Sequence, residues 1–216
     1  MSILGFFALT YLAIQNYPGG TIAERSTEGY RFFMNYFSDL GRHRAWNGTS
    51  NSISNGYFEA AMLIATVGIS LFCITLPVCL RFVPAKTLAT AGSFLGLLAA
   101  LSYYGISRNP LDVDYAMHTL YVRLGFVTFW LASSCNAIAL YREPGYSRHY
   151  VIVYVLFSLI LLVQLYIMFF TPRAWTSPAA LRLQVTAQKA VVYSQLLCLA
   201  VQSIGAIRYL GKHQKP

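Results

Sequence analysis

Charge is what this sequence lacks most. Asp, Glu, Lys and Arg make up 11% of its 216 residues, while 56% are hydrophobic and the mean hydropathy is +0.51. Soluble domains carry about 25% charged residues, so this composition predicts a membrane protein. Short alternating segments separated by turns are absent, which excludes an outer-membrane-type barrel. No nucleotide-binding loop, dinucleotide fingerprint or GxSxG elbow occurs in a usable context, and no HExxH or HxxxH spacing is present. There is no CxxC pair: Cys73, Cys79, Cys135 and Cys198 all sit in apolar stretches and read as small packing residues. Acids are outnumbered, 7 against 16 Lys and Arg, for a formal charge of +9. The basic residues are spread over polar connections rather than gathered on a face, so nucleic acid is not expected as a partner.

What is present is a series of apolar segments near the roughly 20 residues that cross a bilayer. Backbone polar groups must pair internally in lipid, so these segments are predicted to be helices. The expected fold class is an all-α integral membrane protein, a single bundle of six transmembrane helices over residues 3–17, 56–82, 88–106, 115–141, 150–170 and 187–210, with an earlier start of the last helix near Ala179 also open. Pro18, Gly19 and Gly20 end the first helix. Residues 21–55 form the longest polar connection, in which Tyr30, Phe32, Phe33, Tyr36 and Phe37 suggest a segment lying at the membrane interface. Arg81, Lys86, Arg142, Arg148, Arg208, Lys212 and Lys215 crowd one side against a single acid, Glu143. The positive-inside rule makes that side cytoplasmic, with both termini on it and residues 21–55 outward. A bacterial plasma membrane is the expected location, with membrane lipids as partners.

Two polar islands interrupt the apolar pattern, residues 35–46 (NYFSDLGRHRAW) and 108–118 (RNPLDVDYAMH). Six-helix topology puts both on the outward side with the start of the last helix. Ser38, Asp39, His43, Asp112, Asp114, His118, Gln188 and Lys189 should therefore meet at one end of the bundle. Three readings of this group stand. It is a structural network, in which Asp39 caps a turn and pairs with Arg42 or Arg44 while Asp114 caps the fourth helix. It is a site for a lipid headgroup or small polar ligand. Or it is a zinc hydrolase centre with Asp39, His43, Asp114 and His118 as ligands. Arg123, inside the fourth helix, either serves a site or snorkels to the interface. Gln184, Gln188, Gln195 and Gln202 share one face of the last helix, as inter-helix hydrogen-bonding groups or as a polar pathway for a small-solute transporter.

A short first helix followed by Phe37, Ser38, Asp39, Leu40 and Gly41 and then a second helix resembles a bacterial membrane family of unknown function numbered 998. That family is similar in turn to the six-helix DRAM-like membrane proteins. Its second feature, a Gly, a Pro, an acid and a His around the start of helix 4, corresponds here to Gly105, Pro110, Asp112 or Asp114, and His118. Its polar-basic pair in the last helix corresponds to Gln188 and Lys189. The resemblance implies six helices and no established activity. A remoter likeness, to membrane hydrolases using Ser, Asp and His around zinc, implies hydrolysis of lipid amides. The leading expectation is an outward polar site that binds a lipid headgroup or small polar ligand.

Overall fold

The chain, described here from a computed structural model over residues 1–213, is all-helical. Lys215, counted above among the cytoplasmic basic residues, lies outside the described residues. Six helices follow in order: α1 (Ser2–Gln15), α2 (Ser52–Cys79), α3 (Val83–Arg108), α4 (Tyr115–Arg142), α5 (Arg148–Phe170) and α6 (Pro178–His213). Two short 3-10 turns, Phe37–Gly41 and Ala174–Thr176, precede α2 and α6. Five helices, α2 to α6, are long and apolar enough to cross a membrane. Large apolar side chains such as Leu71, Phe94, Leu131, Leu156 and Leu197 are exposed on them, as lipid-facing surfaces require. This is the build of an integral membrane protein.

The first helix is different. Its 14 residues reach about 21 Å at 1.5 Å per residue, short of a hydrocarbon core of about 30 Å. It runs antiparallel to α2, with Gly5 against Ile64 and Ser2 against Gly68, midway along that helix. Consecutive helices are neighbours, and α6 returns to pack on α2.

Small residues set the tightest seam, between α3 and α4. Ala85, Ala89, Gly92, Ser93, Gly96, Ala99 and Ala100 of α3 are buried. A Cβ at Gly92 would stand 2.7 Å from Asn136 Oδ1 of α4, and one at Gly96 2.5 Å from Cys73 Sγ of α2. Close backbone approach is how helices gain contact where lipid offers no hydrophobic drive. At the end opposite the long connection, Glu143 is buried and its carboxylate accepts from the backbone N–H groups of Arg81 and Phe82 and from the Tyr209 hydroxyl. It ties the α2–α3 turn to α6.

Three helix starts fall earlier than hydropathy predicts, each for a local reason. Expected at 56, α2 begins at Ser52 because Asn51, Ser54 and Asn55 bond back to the preceding turn. Expected at 88, α3 begins at Val83, with a proline in its first turn, where no N–H is needed. Expected at 187 or near Ala179, α6 takes the earlier start: it begins at Pro178, capped by the Ser177 hydroxyl accepting from Ala180 N at 3.1 Å. Leu181 and Val185 bury the first turns of α6 against Ala174 and Tyr36, while intervening Arg182 and Gln184 hide the helix from an apolar scan.

Candidate functional site

Everything at the end of the bundle that carries the long connection is built on the turn Phe37–Gly41. Asp39 is fully enclosed. Its Oδ2 accepts from Tyr36 N at 2.9 Å and Asn35 Nδ2 at 3.1 Å, and its Oδ1 from Trp46 Nε1 at 3.0 Å. Asp39 thus caps its own turn, as one reading expects, but it forms no ion pair with Arg42 or Arg44. Instead the Trp46 indole lies between the guanidinium groups of Arg42, 3.8 Å from the ring centre, and Arg25, at 4.2 Å. Burial pushes the Asp39 carboxyl above its usual range; the hydrogen bonds from Asn35 and Trp46, the Arg42 charge and the Tyr36 N–H pull it back. Burial, reinforced by the Asp39 charge, also raises the Tyr17, Tyr30 and Tyr36 hydroxyls, so all three remain protonated.

The turn is fastened on three sides. From α2, Asn51 Nδ2 donates to the carbonyls of Leu40 and Arg42, Ser54 Oγ to Leu40, and Asn55 Nδ2 to Gly41 at 2.7 Å. From α6, Gln188 Oε1 accepts from Phe37 N at 2.9 Å and Gln184 Oε1 from the Tyr36 hydroxyl at 3.0 Å. From the second island, the two Asp112 oxygens accept from His43 N at 3.1 Å and Arg44 N at 2.8 Å. The two islands and the start of α6 do share one end of the bundle, and most of their polar groups are spent on one another.

The remaining candidates separate. Asp114 caps α4, accepting from Met117 N at 2.9 Å. His118 is buried and its Nδ1 lies 2.8 Å from the Asn109 carbonyl; a carbonyl only accepts, so Nδ1 carries the proton. The His43 side chain is exposed. Among the described residues no three His, Cys, Asp or Glu side chains are grouped to hold a metal, so Asp39, His43, Asp114 and His118 do not converge as zinc ligands. Arg123 is exposed on α4, its guanidinium 5.9 Å from the Phe169 ring centre, the position of a snorkelling side chain. The glutamines of α6 take separate partners: Gln195 meets the Tyr103 hydroxyl of α3, and Gln202 donates to the Tyr150 carbonyl of α5 at 2.8 Å.

Lys189 is buried on α6 beneath the loop. Its ammonium donates to the Asn35 carbonyl and faces the rings of Phe32, Tyr30 and Phe37, at 4.9, 5.2 and 6.0 Å from their centres. It forms no ion pair, although the Asp39 charge is felt from nearby.

One candidate points elsewhere. Ser38 is buried, and its hydroxyl has no hydrogen-bond partner among the described residues. It lines a cavity of about 220 Å³ beneath the turn, enclosed by α1, α2, α3, α4 and α6. The walls are mainly apolar, with Phe6, Phe58, Met62, Ile69, Phe126 and Leu196 among them; Gln188, Tyr103 and Gln195 add polar edges. Sequence reasoning included Ser38 and Gln188 but missed Tyr103 and the apolar wall. A tyrosine about a turn and a half from the end of an apolar helix carried no distinguishing signal.

Compared with known proteins, the chain has no significant match to a family model, to a curated protein or to a solved structure.

Proposed function

We infer that this protein binds the chain of a lipid with an uncharged polar end in the cavity beneath Ser38. The observation that carries the reading is Ser38, buried and without a side-chain hydrogen bond among the described residues, in the wall of a largely apolar cavity. Ligand pockets combine apolar walls with a few convergent polar groups in this way. Gln188 supports it: its Oε1 is held by Phe37 N, which leaves its Nε2 to donate toward a ligand carbonyl or hydroxyl. The volume, 220 Å³, is below the about 300–1,000 Å³ of drug-sized sites, which suits part of one acyl chain. No Lys or Arg side chain lines the space; Lys189, on the same turn of α6, is turned to Asn35. That favours a hydroxyl, ester or amide over a phosphate. In this reading the chain is an integral membrane protein of the bacterial plasma membrane, related to the six-helix family of the SDLG motif. The loop around Asp39 faces outward, and the C-terminal end of α6 faces the cytoplasm.

The test is saturable binding of radiolabelled monodecanoylglycerol to the purified full chain in detergent. Ala65→Phe and Val192→Phe place bulk in the cavity from α2 and α6, and each should abolish binding. Ser38→Ala should weaken it several-fold, in line with the roughly 0.5–1.5 kcal/mol of one hydrogen bond. Binding undiminished in both well-folded phenylalanine variants would refute the reading.

A further inference from the structure

A second site lies at the opposite end of the bundle. There α5 and α6 part around a cleft of about 350 Å³. Ser147, His149 and Tyr150 line it from the start of α5, and Gly205, Arg208 and Lys212 from the end of α6. At Gly205 the two helices pack closely, since a Cβ there would stand 2.8 Å from the Tyr150 ring and 3.0 Å from the Tyr146 hydroxyl.

Its chemistry is that of an anion receptor. Arg208 and Lys212 are exposed and form no ion pair among the described residues. The one acid at this end near in sequence, Glu143, is already engaged by Arg81 N, Phe82 N and the Tyr209 hydroxyl. Arg208 reaches only the Tyr150 hydroxyl, at 3.5 Å. The Ser147 hydroxyl precedes α5 without capping it, leaving both that hydroxyl and the first N–H groups of α5 for a ligand, at the positive end of the helix dipole. Val153 and Val201 extend the cleft along the two helices away from its basic rim, giving an apolar channel below a cationic mouth.

We propose that this cleft binds the phosphate of an anionic membrane lipid, with Arg208, Lys212 and the start of α5 around the phosphate and the acyl region along Val153 and Val201. Basic pockets between helices at a membrane surface take such headgroups. The site is separate from the cavity under Ser38, and neither proposal depends on the other.

The experiment is native mass spectrometry of the full chain with phosphatidylglycerol or phosphatidylcholine, with and without millimolar inorganic phosphate. Wild type should retain phosphatidylglycerol and not phosphatidylcholine. Arg208→Gln with Lys212→Gln should weaken retention about tenfold or more, given roughly 1 kcal/mol per basic residue near a surface. Lys86→Gln with Arg142→Gln, exposed cations at the same end but outside the cleft, should leave it unchanged. Displacement of the lipid by inorganic phosphate would keep the anion site but make free phosphate its ligand, overturning the lipid assignment. Equal retention in the Arg208/Lys212 variant, or an equal loss in the Lys86/Arg142 variant, would overturn the site itself.

Discussion

The ring of Phe58 occupies the space in which a side chain at position 41 would stand: a Cβ on Gly41 would come within 2.4 Å of it. Gly41→Ala should therefore push Phe58 out of place and cost about 1–3 kcal/mol, the usual penalty for overpacking. Phe58→Leu should relieve much of that cost, so the double variant is more stable than the sum of the single effects predicts. Thermal unfolding in detergent, followed across the four proteins of the cycle, measures the coupling. Strict additivity would contradict it.

Asp39 accepts three hydrogen bonds in full burial. Asp39→Asn keeps the shape but turns an NH₂ group toward a donor, whichever way the amide faces. A buried donor without an acceptor costs about 1–3 kcal/mol. The variant should melt lower than wild type and expose Trp46 to aqueous quenchers. An unchanged melting temperature would mean that the three bonds are worth nothing net.

The same carboxyl gives a pH dependence. Its value in the folded protein is raised above 3.8 by burial, so its protonated form favours the fold. The contribution is fully present below 3.8 and is lost as pH rises through the raised folded value. Wild-type stability should fall across that window relative to Asp39→Asn, which has no proton to release. Melting curves of both proteins taken at successive pH values check the sign; a difference that runs the other way would reverse the assignment.

Lys189 places a cation among three aromatic rings and one carbonyl. Lys189→Met preserves the packing and removes the charge, so its cost should stay within about 1 kcal/mol, as apolar replacement of buried charge commonly does. Lys189→Ala leaves a void and should cost about 2–4 kcal/mol, by analogy with other large-to-small changes in a packed interior. Limited proteolysis of the loop between α1 and α2 should then speed up in the alanine variant and not in the methionine one. Equal cleavage of both would show that the charge, not the bulk, holds the loop.

The long helices α2 to α6 were legible because lipid permits few backbone solutions and apolar length reveals them. The grouping of the two islands was legible too, since helix count alone puts their loops on one end. Residue type could not tell Asp39, buried under three donors, from Asp112, which holds the exposed backbone of His43 and Arg44. That difference depends on where Trp46 and Asn35 fold. The start of α6 stayed open between Ala179 and Ala187 because Leu181 and Val185, which pack inward, lie on an otherwise polar stretch. Neither cavity had a sequence signature. One is a gap left where α1 meets four other helices, and the other lies between the start of α5 and the end of α6.

The hydrogen bond from Phe37 N to Gln188 spans 151 positions of the chain. Its consequence is one of timing. A ribosome has completed five helices before the α6 residues that clasp this turn emerge, so until then the turn can have only its fastenings to α2 and Asp112. The buried Asp39 carboxylate and the Ser38 cavity belong to a late stage of biogenesis, after α6 has inserted. A chain arrested before α6 would carry its first five helices and an open loop between α1 and α2.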